Sequence, residues 1–113
     1  MITGTHVMFF SKDAEADRAF LRDVLGLAHV DAGGGWLIFA LPPTEAGVHP
    51  SDKNDVHEVY FITDNLEAEM ARLSEKGVAC SAPSRQSWGV STSVSLPSGG
   101  KLGLYEPRHQ TAR

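Results

Sequence analysis

Two stretches of this sequence carry the same landmarks fifty-one residues apart, and this internal repeat restricts the available folds more than any other feature. His6 opens the run HVMFF, Asp13 follows seven residues later and Gly26 twenty residues later. His57 opens HEVYF, Asp64 and Gly77 stand at the same two offsets, and Phe10 and Phe61 coincide as well. A β-rich run, a helix start and a glycine stop at fixed spacing describe a duplicated supersecondary module. Units of about fifty residues are each too small to bury a sufficient core alone. The 113 residues are therefore expected to form one domain with a shared core, with module one at about 2–50, module two at about 56–107 and a tail at 108–113.

Residues 2–10 read as a strand, rich in β-branched and aromatic types. Ser11 or Asp13 can cap a helix whose stripe is Phe20, Leu21, Val24 and Leu25, with Gly26 as its stop. Strands are expected at 27–32 and 36–41 around the triple glycine at 33–35. Pro42, Pro43 and Pro50 make 42–55 mostly loop, with room for a short edge strand over EAGVH. The second unit repeats the plan. HEVYFIT at 57–63 is a strand, and Asp64 with Glu67 forms a capping box ahead of Leu66, Met70 and Leu73. Short and long strands follow near VACSA and over 88–96, then the turn PSGG and a strand at 101–106. Each half reads βαβββ, which places the chain in the α+β class.

A net charge of -4 with no Lys/Arg block excludes the electrostatics on which nucleic-acid binding depends. Cys80 is the only cysteine, so no intrachain disulfide can form, and it reads as a small packing residue or passive thiol. The N-terminal stretch has no apolar signal region and no run long enough for a membrane span, so a cytoplasmic location is expected. The triple glycine precedes a strand rather than a helix, unlike a phosphate-cradling loop, and there is no GxSxG.

The double βαβββ pattern, the strand-opening His6 and His57, the run FLRDVLGL and the ending LPSGGKLGLYEP resemble the vicinal oxygen chelate superfamily. That superfamily includes glyoxalase I, bleomycin-resistance proteins, extradiol dioxygenases and methylmalonyl-CoA epimerase, and the likeness runs from Thr3 to Pro107. It implies two modules forming a curved mixed sheet with a concave ligand cup. In the superfamily's metal enzymes each half supplies a ligand from its first strand and usually a carboxylate from its last. His6 and His57 fall on the first-strand positions and would suit one divalent metal, Fe, Ni, Zn or Mn. By register the final carboxylate falls on Gly103, which has no side chain, and WLIFAL offers no acid in the first half. Glu45, His49 and Glu106 are the candidate third ligands, although Glu106 would face away from Gly103 in a regular strand. A metal-free protein is the competing expectation. Small members commonly form homodimers, and the same is expected here.

Strand alternation from the two histidines and from Gly103 brings Met8 and Phe10, Val59 and Phe61, and Lys101 and Tyr105 to the cup. Trp36 and Trp88 hold corresponding places in the two halves, offset by one residue, and could stack on a planar ligand. The expected substrate-binding set is thus Phe10, Trp36, Phe61, Trp88 and Tyr105, with no catalytic residue assigned. His109, in the run RHQTAR, reads as solvated. Two functions follow. One is a glyoxalase/bleomycin-resistance/dioxygenase-like protein that binds a small molecule in the cup. The other is a metal-dependent lyase, isomerase or dioxygenase acting on an oxygen-chelating substrate.

Overall fold

The computed structural model describes residues 5–112. Helix α1 (Ala14–Ala19) starts where Asp13 accepts a hydrogen bond from the Ala16 amide at 3.1 Å, and it runs on as a π-helical segment, Phe20–Val24. Gly26 then takes φ +67, and Gly77 ends the second helix at φ +75. These left-handed positions are where a side chain would be strained, so both glycines act as the stops read from the sequence. Strands β1 (His29–Asp31) and β2 (Leu37–Phe39) pair as an antiparallel hairpin.

The second half carries all five elements of its module. They are β3 (Tyr60–Ile62), α2 (Leu66–Glu75), β4 (Ser84–Gln86), β5 (Gly89–Ser95) and β6 (Lys101–Pro107). The sheet order is β3-β6-β5-β4, with β3 parallel to β6 and the other neighbours antiparallel. Among the described residues this is an α+β fold with two helices, a two-stranded hairpin and an open mixed sheet, the class expected from the sequence.

Several local expectations differ. Residues 5–10, the described part of the expected first strand, carry no strand, and 2–4 lie outside the described residues. Residues 42–55 are loop throughout, including EAGVH. Near VACSA a single bridge joins Cys80 to Val94. The cap of α2 is Asn65, which accepts from the Ala68 amide at 3.0 Å, rather than Asp64. β-propensity alone does not create a strand: a partner must supply the ladder hydrogen bonds, and β1 and β2 pair only with each other among the described residues.

The core lies between the helices and one face of the four-stranded sheet. Phe20, Leu21, Leu66 and Leu73 meet Val90, Val94, Leu102 and Leu104. Burial alternates along both central strands: Val90, Thr92 and Val94 are covered while Ser91, Ser93 and Ser95 are less so, and Leu102 and Leu104 are covered beside Lys101, Gly103 and Tyr105. Each fully buried aliphatic side chain, such as Leu73, is worth about 1.5–3 kcal/mol of transfer free energy. No helix among the described residues is long and apolar enough to cross a membrane.

Candidate functional site

The sheet face opposite the helices is open, and register fixes what stands on it. Tyr60 pairs with Gly103, Ile62 with Tyr105, Ser91 with Tyr105 and Ser93 with Gly103. These residues therefore form one row-by-row surface. The Tyr60 ring lies flat over Gly103, where an added Cβ would meet its Cδ1 and would stand 2.6 Å from Cε1 and 2.7 Å from Cγ. The close approach is possible because position 103 is glycine. A cleft of about 540 Å³ opens beside this pair, lined by Met8, Phe10, His57, Tyr60, Ser93 and Gly103 among others. One wall is aromatic and the other carries hydroxyls.

Tyr105 is the centre of an aromatic cluster. Tyr60 and Trp88 both meet its ring in T-shaped contacts with centroids 5.6 Å apart, and the His109 ring stacks on it at 6.1 Å and 29°. Such perpendicular pairs set the ring edge of one partner against the negative face of the other. Both hydroxyls are placed by polar neighbours. Tyr60 donates to Glu58 Oε2 at 2.9 Å, and the Tyr105 oxygen lies 3.3 Å from His109 Nε2.

The two tyrosines are the only ones in the sequence, and both hold their protons above the ordinary value of 10.0. For Tyr60 the hydrogen bond to Glu58 is the main cause, followed by burial and the Glu58 charge. For Tyr105 it is burial, followed by the Glu45 charge and a hydrogen bond to it. Folding raises both values, so the unfolded chain releases these protons first as the pH climbs. The associated stability is intact below pH 10.0 and is lost as the pH rises through the folded values. An alkaline titration followed by phenolate absorbance should show both phenols ionising late. Glu58→Gln should bring one of them back toward the ordinary range; two unchanged late transitions would remove Glu58 as the cause.

The other expected site residues are dispersed. His57 lines the cleft, whereas His6 is exposed and is not among its lining residues. Phe10 lines the cleft with 96 % of its surface free. Trp36, itself exposed, carries the half-buried Arg18 guanidinium of α1 4.7 Å from its ring centre, a cation–π pair between helix and hairpin. Phe61, expected in the cup, instead pairs in register with buried Leu104 and packs against the core, lining a smaller cavity of about 210 Å³. The side-chain period of two makes this a one-residue matter: with Phe61 on the helix side, Tyr60 faces the open side. Tyr60 is the site residue that the sequence reading missed. Its signal was a tyrosine adjacent to Phe61 and across the ladder from a mid-strand glycine.

The candidate metal donors do not converge either. Glu106 Oε1 accepts from the Leu66 amide at 2.9 Å, so its carboxylate is occupied at the start of α2 on the helix side. Glu45 Oε2 accepts from the Ala112 amide at 2.6 Å, and His49 Nδ1 meets the Pro50 carbonyl at 2.7 Å. Among the described residues no group of three His, Cys, Asp or Glu side chains could hold a metal ion. Gly103, where the resemblance leads one to expect a carboxylate, is covered by the ring of Tyr60, and the donors among the described residues do not form the set such a metal site needs. Cys80 is half-buried with its thiol pushed up by burial, which suits an unreactive packing residue.

No family model matches the sequence, and no curated protein matches it. Solved structures do match. An antibiotic binding protein, TnmS3 from Streptomyces sp. CB03234, is similar at 27% identity over 95% of this chain and 99% of its own, with a TM-score of 0.63. Lactoylglutathione lyase from Agrobacterium tumefaciens matches at 18% identity, 92% of each chain and TM-score 0.66. A glyoxylase/bleomycin resistance protein/dioxygenase domain from Frankia sp. EAN1pec matches at 15% identity, covering 96% of this chain and 100% of its own, also with TM-score 0.66. The chain therefore has the fold of the glyoxalase/bleomycin resistance/dioxygenase superfamily, the vicinal oxygen chelate class that its sequence resembles.

Proposed function

We propose that this protein is a small-molecule-binding member of that superfamily, holding an aromatic ligand on the open sheet face beside Tyr60, Tyr105 and Trp88. One observation carries the reading. Tyr60 occupies the space at Gly103 where metal-dependent relatives would place a carboxylate, which turns the centre of the face from a donor set into an aromatic surface. The likeness to an antibiotic binding protein supports the same direction. The alternative, a metal-dependent lyase, isomerase or dioxygenase built on His6 and His57, draws support from His57 on the cleft wall and from the fold shared with a lactoylglutathione lyase.

One domain of two modules, a homodimer and a cytoplasmic setting belong to the same proposal. The dimer is supported by apolar side chains left open on the hairpin and on the sheet face, including Val30, Trp36, Ile62 and Trp88. Cytoplasmic residence is supported by the lone half-buried Cys80.

The test is a titration of planar aromatic antibiotics followed by fluorescence of Trp88 in a Trp36→Phe background. Binding should quench Trp88, and Tyr60→Ala should weaken it about tenfold, equivalent to about 1.4 kcal/mol. Ligands that bind only after Fe(II), Ni(II), Zn(II) or Mn(II) is added, and that ignore Tyr60→Ala, would favour the metal-dependent alternative.

A further inference from the structure

The segment following β6 does not leave the aromatic face. Arg108 donates its amide to the Trp88 carbonyl at 2.8 Å, and the next residue, His109, lays its imidazole on Tyr105. His109 Nδ1 lies 2.9 Å from the Gln110 carbonyl, and a carbonyl can only accept, so Nδ1 carries the proton. With the proton on Nδ1, Nε2 is left as an acceptor 3.3 Å from the Tyr105 hydroxyl, beside Glu45, which also accepts from that hydroxyl. Three residues on, the Ala112 amide donates to Glu45 Oε2 at 2.6 Å, tethering the segment to the loop between β2 and β3. A planar heteroaromatic ring is thus already stacked on Tyr105 and hydrogen-bonded to it.

The geometry points to the segment Arg108–Ala112 acting as a displaceable strap, in which His109 occupies the stacking position that a planar heteroaromatic ligand with an acceptor nitrogen takes on Tyr105. This inference rests on the proposal that the open face binds an aromatic small molecule. The ligand class follows from what the imidazole satisfies: a flat π-face against the phenol ring, and one in-plane lone pair facing its O–H. Tyr60 and Trp88, set perpendicular to Tyr105, limit how such a ring can lie. The ring of His109 is held to Tyr105 by one 3.3 Å contact between exposed groups, where a net hydrogen bond is weak, and it can swing away while Arg108 stays bonded to Trp88. Burial, the Glu45 charge and the hydrogen bond that Glu45 accepts keep Tyr105 protonated through the neutral range, so its hydroxyl is a donor shared between Glu45 and the ring nitrogen in front of it.

A strap of this kind lowers apparent affinity by the fraction of molecules in which it is closed, so removing its ring must tighten binding. The test uses quinoline as the probe, a flat bicycle with one acceptor nitrogen, and nuclear magnetic resonance of the His109 ring protons. In the free protein these protons should be shifted upfield by the Tyr105 ring current, and the shift should disappear in Tyr105→Leu. Adding quinoline to the parent protein should move them toward unstacked positions as the probe binds. His109→Ala should bind quinoline about three- to tenfold more tightly. Tyr105→Phe, which keeps the stacking face and removes the donor, should bind it more weakly. Equal affinity in the parent and His109→Ala, with the His109 protons unmoved at saturation, overturns the strap and leaves the binding face standing. Quinoline binding to neither protein overturns the strap together with the aromatic face on which it rests.

Discussion

Asp17→Ala should destabilise the fold by about 3 kcal/mol, seen as a fall in the urea midpoint with little change in slope. Asp17 is 7 % exposed, a buried carboxylate in the middle of α1. Its Oδ2 accepts from the Ser11 and Ser98 hydroxyls at 2.7 Å each, and its Oδ1 accepts from the Ser98 amide at 3.1 Å. The carboxylate therefore fastens the first helix to the turn between β5 and β6, eighty-one residues away. Alanine removes the acceptor and leaves three donors, on half-buried Ser11 and Ser98 at the margin of the cleft, without their shared partner. Hydrogen bonds to charged groups are worth about 1.5–3 kcal/mol each, and those sharing one carboxylate do not add fully. Asp17→Asn keeps the volume and one acceptor oxygen, so its loss should be about half as large. A midpoint unchanged in Asp17→Ala would show that the carboxylate does not join the helix to the turn.

Gly103→Glu puts a carboxylate where the resemblance to the metal enzymes leads one to expect it, yet it should unseat Tyr60 before it can serve a metal. The new Cβ must enter the volume of the Tyr60 ring, whose Cε1 and Cγ lie 2.6 and 2.7 Å from it. The ring can leave only by giving up its T-shaped contact with Tyr105. Overpacking of this kind costs about 1–3 kcal/mol, partly relieved because Tyr60 is 41 % exposed and has somewhere to go. The expected result is a lower melting temperature and no stabilisation by Zn(II) or Ni(II). The double variant Gly103→Glu with Tyr60→Ala should recover stability relative to Gly103→Glu alone. Full stability together with a metal-dependent rise in melting temperature in the single variant would mean that Tyr60 does not hold that place.

The sequence was most legible where a residue's local demand agrees with its tertiary setting. Gly26 and Gly77 are helix stops because both adopt positive φ, and the alternation of Val90, Thr92 and Val94 with serines survives in the burial of β5. Glu106 also faces away from Gly103, as strand parity required, and meets the start of α2. Parity was less informative at β3, where three paired residues are too short a run to fix which face is covered, and the choice between Tyr60 and Phe61 is decided by Leu104 across the ladder. The run before Asp13 has strand composition without a strand partner among the described residues. Asp17 had a signal that composition hides, since it stands three and four residues before Phe20 and Leu21, on the stripe that packs inward. His109, read as solvated, is exposed, and its ring also meets Tyr105 because the chain beyond Pro107 turns back across it.

The parallel pairing of β3 with β6 also orders events in time. β5 and β6 are joined across residues 96–100, so their ladder closes a short loop and is the local hairpin of the fold. β3 reaches the same sheet only after residues 63–100, with α2 and two strands between, have been gathered in. Chain-closure entropy makes the long connection the later one, and three paired residues give it little to hold by. Tyr60 thus rides on a strand tied by three pairs across a long connection, and its amide should exchange with solvent sooner than those of the seven-residue ladder between β5 and β6.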